Sequence, residues 1–307
     1  MTLPPFRPRS ATEIVDAAVQ LGRRHYAPLV TLGAIVALPG LVLGLVALWL
    51  MPQQAEIQAG AALPGDFGLA LLVSLVSLCW LFVGFGALVA SAASAYVEGR
   101  ALEPREALRR ALARAWTLVV GHLLAVVLVS VVVMIGLFLL AMGAGLVLAG
   151  VGIATGGAGA GSSITTTAIA GLAIAVTTIG MGVGGLLAYA RFANVTAAIM
   201  LEGASATQSL GRSNALVRGH SLRVAGVVGI MWLLYFVAYG TAWAIGYLVV
   251  RSMEISGNVA GVLVVAAYPF IASLLTILYY DLRIRREGYD LELMARALDA
   301  DPAGASV

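Results

Sequence analysis

The chain has 307 residues, of which 61% are hydrophobic and only 11% charged, and its mean hydropathy is +0.99. That balance excludes an ordinary soluble globular domain and places the chain in a bilayer. The formal net charge is +3, all eighteen basic residues are arginine, and the lone cysteine, Cys79, lies in an apolar run and forms no internal disulfide; no nucleic-acid partner is expected.

In chain order, the first twenty-odd residues hold no apolar core, so no cleaved secretory signal is expected. Residues 10–24 form an amphipathic helix: Ile14, Val15, Ala18 and Val19 make a stripe, Asp16, Gln20, Arg23 and Arg24 the opposite face, and Ser10 and Glu13 stand at capping-box spacing. Crossing about 30 Å of hydrocarbon takes roughly 20 helical residues. Six apolar runs meet that length: Pro28 to Leu50, Phe67 to Val97, Thr117 to Ala154, Ile164 to Leu201, Val224 to Val250, and Val259 to Tyr280. The third and fourth exceed a simple crossing, so each must project beyond the membrane or break near the Gly-rich stretch 155–163 between them.

Residues 98–116, EGRALEPREALRRALARAW, carry five arginines between two of these runs. Read as a helix opened by Pro104, the segment aligns Ala107, Leu108, Ala111, Leu112, Ala115 and Trp116 on one stripe and Arg105, Glu106, Arg109, Arg110 and Arg114 on the other. Such a helix lies in the headgroup region, and Arg105, Arg109, Arg110 and Arg114 are the candidate contacts to anionic lipid headgroups. A third amphipathic segment follows the fourth run, where Ser205 and Gln208 repeat the capping-box spacing. A Glu-Gly dipeptide ends every second run: Glu98-Gly99, Glu202-Gly203 and Glu287-Gly288. The chain therefore reads as one membrane domain, 1–307, with repeats at 10–99, 103–203 and 205–288 and a C-terminal surface helix and tail at 289–307. The fold class is an all-α polytopic bundle of six spans with amphipathic interfacial helices.

Sixteen of the eighteen arginines flank the inward ends of the spans, against Arg251 on the other side and Arg191 within the fourth run. By the positive-inside rule both termini are cytoplasmic.

Few residues suggest chemistry. Gly180, Gly182 and Gly185 satisfy G-x-G-x-x-G inside an apolar run and are expected to pack helices, as are Gly40 and Gly44. His25, His122 and His220 lack metal-ligand spacing and are expected to be structural; His25 and His220 fall where an interfacial helix meets its span. No cofactor is expected. Arg191 is the one charge deep in a run, and such charges are costly and usually paired or functional. Two readings follow: Arg191 snorkels to the inner interface and braces the helices, or it pairs with one of the acids at the span ends, Asp281 first and Glu98 after it, and with Asn194 on the same face makes an intramembrane polar site at Arg191, Asn194 and Asp281.

The stretches RPRSATEIVDAAVQLGRRHYAPLV, AAIMLEGASATQSLGRSNALVRGH and LYYDLRIRREGYDLELMA resemble a family of bacterial integral membrane proteins labelled as the membrane domain of glycerophosphoryl diester phosphodiesterase. The resemblance covers nearly the whole chain and implies a membrane fold in a bacterial plasma membrane. In that family the phosphodiesterase reaction belongs to a soluble barrel domain with metal-binding acids and catalytic histidines, residues this chain lacks, so the resemblance transfers no activity and no site residue. The expected function is a non-enzymatic, lipid-interacting membrane protein acting as partner or regulatory subunit of another protein, or as a homo-oligomer. The alternative is a transporter or flippase for a lipid or small amphiphile.

Overall fold

A computed structural model describes residues 7–50, 67–154 and 164–292, all-helical apart from turns. Eleven α-helices run through them: α1 Ala11–Arg24, α2 Tyr26–Leu50, α3 Phe67–Val97, α4 Pro104–Leu112, α5 Ala115–Ala154, α6 Ile164–Ala190, α7 Val195–Glu202, α8 Ala206–Val217, α9 Ser221–Val250, α10 Met253–Leu263 and α11 Tyr268–Glu287. Six segments are long and apolar enough to cross a membrane, the architecture of a multi-pass membrane protein: Tyr26–Val46, Phe67–Val97, Ala115–Gly143, Gly171–Glu202, Ser221–Val250 and Ile255–Glu287.

The short helices begin as their sequences dictate. Ser10 Oγ accepts from the Glu13 amide while Glu13 Oε2 accepts from the Ser10 amide, and Ser205 and Gln208 repeat the exchange at the start of α8. These bonds satisfy amides that a helix start leaves without partners. Helix α4 opens with Pro104 in its first turn and no side-chain cap. Each Glu-Gly dipeptide ends a span in the left-handed conformation, with φ of 73° at Gly99, 76° at Gly203 and 63° at Gly288, where glycine escapes the Cβ clash any other residue would meet.

The short helices share a packing rule. Helix α4 packs on α3 and α8 on α7, each on the span half that precedes it, while α1 packs on α11 and so closes the chain's beginning onto its last span. Helix α4 buries Ala107 and Ala111 completely, while Leu112 and Trp116 of the expected stripe stay exposed, Trp116 at 80%. Small residues face the protein and large ones face outward, as expected where lipid tails already solvate large apolar groups.

Two spans are interrupted. The fourth turns at residues 191–194 between α6 and α7, and the sixth passes through a 3₁₀ turn, Val264–Ala267, between α10 and α11. Pro269, in the first turn of α11, lacks the amide needed to continue α10. Of the two alternatives expected for the third and fourth runs, projection holds for the third, and the fourth breaks, though not beside the Gly-rich stretch. Helix α5 is continuous over 40 residues and so projects beyond a single crossing, whereas the fourth run breaks near its arginine-bearing end. Residues 155–163 themselves lie outside the described residues, as do 293–307 of the C-terminal segment.

The core is built where backbones come close. A Cβ placed on Gly84 of α3 would stand 2.0 Å from Val36 of α2, and one on Gly86 would stand 2.7 Å from Leu118 of α5. A Cβ on Gly180 or Gly185 of α6 would stand 3.5 Å from Leu140 or Val133 of α5, and one on Gly40 or Gly44 of α2 would stand 3.7 Å from α3 or 3.3 Å from Asn258, so these glycines face neighbouring helices within the chain. Gly182 faces open space.

Candidate functional site

The face bearing the arginine-rich helices and the Glu-Gly turns is held by two ionic nodes. In the first, Arg212 of α8 reaches two of the three Glu-Gly acids at once: its Nε donates to Glu202 Oε2 at 2.7 Å, its Nη2 to Glu202 Oε1 and Glu287 Oε2 at 2.8 Å each, and its Nη1 to Glu287 Oε1. Arg283 Nε adds a bond to Glu287 at 3.1 Å, and the Tyr279 hydroxyl donates to Glu202. The bonded carboxylates, Glu202 first and then Glu287, push the Arg212 pKa far above its ordinary value. Two bidentate contacts fix the ends of α7 and α11 to each other.

The second node is Asp281, whose side chain is 1% exposed. Its Oδ1 accepts from the Arg9 amide at 2.7 Å, its Oδ2 from Arg285 Nε at 2.9 Å, and Arg223 Nη2 stands 3.3 Å away. Arg285 Nη2 also donates to the Arg9 carbonyl at 2.7 Å. Asp281 therefore ties the segment before α1 and the start of α9 to α11.

This arrangement corrects the expected Arg191–Asp281 pair. Asp281 is occupied by Arg285, Arg223 and the Arg9 amide, and the turn at 191–194 directs Arg191 to an exposed position where its carbonyl, rather than its guanidinium, is used: it accepts from Ser213 Oγ at 2.8 Å. Asn194 is fully buried, its amide donating to Ser213 Oγ at 3.2 Å, and its side chain has no partner among the described residues. The three residues sit in different surroundings, and none lines the cavities described below. Of the candidate headgroup contacts, Arg105, Arg109 and Arg110 are exposed and Arg114 is half-buried.

One cavity lies between the spans. Its volume is about 440 Å³, and all six spans contribute to its wall, from Val36 of the first to Tyr268 and Leu275 of the sixth. Phe82, Phe85, Phe192, Tyr189, Trp232 and Tyr235 give it an aromatic lining. Measured at 1.5 Å per residue, His122 stands about 10 Å along the third span from Ala115, and Tyr235 about 21 Å along the fifth from Ser221. The chamber thus sits well inside the lengths of the spans and has the size of a small-molecule site, about 300–1,000 Å³.

His122 is its most polar element. Nδ1 stands 2.7 Å from the Leu118 carbonyl and Nε2 2.9 Å from Thr196 Oγ1, while the ring stacks on Phe82 at 4.6 Å. A carbonyl can only accept, so Nδ1 carries the proton and Nε2 accepts from the Thr196 hydroxyl, an assignment made from the bonding pattern. Both nitrogens are committed, and no carboxylate or thiol lines the wall. The chamber can bind apolar matter, and the hydroxyls of Ser130, Thr196 and Tyr235 are among the other polar groups on its wall. Among the described residues no group of three His, Cys, Asp or Glu is placed to hold a metal ion.

The chamber was not visible from the residues one at a time. His122 reads as a structural histidine, and its partner Thr196 is 74 residues away; only the turn between α6 and α7 brings Phe192, Ala193 and Thr196 to the wall. The available signals were Asn194, a residue type favoured at helix starts, and Pro269. Compared with family models, with curated proteins and with solved structures, the chain has no match in any of the three.

Proposed function

We propose that this chain is a non-enzymatic, lipid-interacting protein of a bacterial plasma membrane, with both termini in the cytoplasm and one hydrocarbon chain of a membrane lipid held in the chamber between its spans. One observation carries the reading: a cavity of about 440 Å³ well inside the lengths of the spans is lined by aromatic rings, and its histidine is satisfied by Leu118 and Thr196. Water in such a cavity would find few partners, whereas an acyl chain needs none. The exposed Arg105, Arg109 and Arg110 on α4 suit anionic headgroups, and the units 10–99, 103–203 and 205–288 are read as three uses of one design. A stably bound lipid would serve a partner or regulatory protein whose shape depends on lipid supply.

The test is native mass spectrometry of protein released from gently extracted membranes. Wild type retains at least one lipid, and Ala125→Phe, which fills the chamber from α5, retains one fewer without losing thermal stability. A wild-type protein that carries no lipid, or a variant that keeps the full complement, contradicts the reading.

A second reading, transport of a lipid or small amphiphile, is favoured by the two interrupted spans at 191–194 and Val264–Ala267, since broken helices are characteristic of transporter binding sites. Vesicles containing the protein and a fluorescent lipid separate the two readings: accelerated movement of the lipid between leaflets supports transport, and a rate equal to that of empty vesicles leaves static lipid binding.

A further inference from the structure

The three Glu-Gly acids are not treated alike. Glu202 and Glu287 are both bound by Arg212. Glu98 accepts only from Ser94 Oγ, at 3.1 Å, and has no cationic partner among the described residues. The register of the capping positions explains why. Glu106 of α4 corresponds to Gln208 of α8, so Arg110 corresponds to Arg212, four residues further on in each helix. Arg212 is free to reach the acid of the preceding turn because Gln208 is neutral and its side chain caps Ser205. Arg110 is taken instead by Glu106, at 2.6 Å, as an i,i+4 pair.

The unmade contact leaves a second cavity of about 430 Å³ at the face of the Glu-Gly turns, with Glu98, Ser94, Arg110 and Arg114 among its polar walls and Val97, Met200 and Leu201 among its apolar ones. Arg114 is half-buried, and its guanidinium lies against the left-handed turn that ends α7, 3.1 Å from where a Cβ on Gly203 would stand. It has no acceptor side chain among the described residues. The Arg110–Glu106 pair has both side chains well exposed, 51% and 39%, and such pairs hold weakly enough to be exchanged for a stronger anion. The cavity therefore offers two guanidinium groups and, separately, one unpaired carboxylate.

From this juxtaposition we infer that the cavity between Glu98 and the Arg110–Arg114 pair binds a phosphate ester carrying a primary ammonium, the headgroup of an ethanolamine phospholipid. The phosphate sits against Arg110 and Arg114, where planar guanidinium groups match its oxygens. The ammonium meets Glu98, and Val97, Met200 and Leu201 cover the glycerol end. A purely anionic headgroup would leave Glu98 facing like charge, so the acid acts as a selectivity element. The inference deepens the lipid-binding reading, in which the chamber takes a chain, by assigning a headgroup preference to a separate cavity.

The experiment uses the whole protein in nanodiscs containing equal amounts of phosphatidylethanolamine and phosphatidylglycerol, with bound lipids counted by native mass spectrometry. Wild type is expected to favour the ethanolamine lipid by about tenfold, the effect of one charge-assisted hydrogen bond. Glu98→Gln keeps the shape and an acceptor for Ser94, and is expected to turn the preference toward phosphatidylglycerol. Arg114→Gln is expected to lower occupancy by both lipids. A wild type without preference, or a Glu98→Gln protein with the wild-type preference, overturns the proposal. Displacement by soluble phosphoethanolamine would show that the headgroup alone is recognised, and resistance to it that the glycerol end is needed. Ala125→Phe, which acts on the chamber, leaves the headgroup preference intact, so failure of the chamber reading and failure of this one are seen separately.

Discussion

The third and sixth spans are both strongly apolar and have opposite fates. The most apolar stretch of the third has a mean hydropathy of 3.2 and is 6% buried, while that of the sixth has 2.2 and is 56% buried; the fourth, at 1.8, has none of its stretch buried. Hydropathy therefore does not report which helix forms the core. In a bilayer a large aliphatic side chain gains nothing by leaving lipid for protein, and association follows close approach, hydrogen bonds and ion pairs instead. The sixth span is central because Ser273 and Thr276 let neighbours close in and because Asp281 and Arg285 tie it to the N-terminal segment. The third and fourth spans present leucine, isoleucine and phenylalanine outward along most of their length, Phe138 and Leu139 at 65% and 61% exposure.

Substitutions that raise hydropathy or leave it unchanged should sharpen this contrast, since apolarity alone predicts no loss from them. The largest effect is expected from Asp281→Ala, which leaves Arg285 and Arg223 around an empty buried site. Breaking a buried ion pair from one side costs about 3–5 kcal/mol, and the midpoint of thermal aggregation should fall by many degrees, or the protein should fail to extract as a single species. Next comes Gly84→Val, whose Cβ would meet Val36 at 2.0 Å. Overpacking at a backbone contact costs up to about 3 kcal/mol, whereas Gly182→Val, with nothing within 4 Å, should stay within about 0.5 kcal/mol of wild type. Equal sensitivity of the two glycines would break the contrast.

Glu202→Gln should cost less, about 1 kcal/mol, because its side chain is 21% exposed and solvent screens the pair with Arg212. Its deficit relative to wild type should shrink as salt is raised.

The smallest effect is one of pH. The Glu13 side chain is 41% exposed, yet the bond from the Ser10 amide first, and Arg7 and Ser10 Oγ after it, hold its pKa at about 2 against an ordinary 4.5. A carboxyl depressed on folding stabilises the fold above its unfolded pKa and loses that contribution as pH falls through its folded value. Amide exchange in the first turn of α1, corrected for its intrinsic pH dependence, should therefore be unchanged down to about pH 4.5 and rise between that pH and about 2. The corresponding turn of α8, capped by neutral Gln208, should show no such step.

The same contrast marks what was legible in the sequence. Features encoded within a few residues could be read directly: the six apolar runs, the capping boxes at Ser10 and Ser205, and glycine after glutamate at three span ends. Features that depend on how one span meets another could not. Asp281 has an acidic identity and a position, but its partners Arg9 and Arg223 lie 272 and 58 residues away in sequence. Arg191 looked deep because the fourth run was measured as a straight helix, and the stretch YARFAN contains neither the proline nor the glycine that usually announces a break. The chamber follows from that same turn, so the error over Arg191 and the missed cavity share one cause.

The central claim is that the chamber holds a lipid chain, and photocrosslinking tests it most directly. Protein reconstituted with a phospholipid bearing a diazirine near the end of one acyl chain is irradiated, digested and mapped. The account predicts adducts on chamber residues such as Phe82, Trp232 and Tyr235, lost in Ala125→Phe. Adducts confined to the outward faces of α5 and α6, and unchanged in that variant, would contradict it.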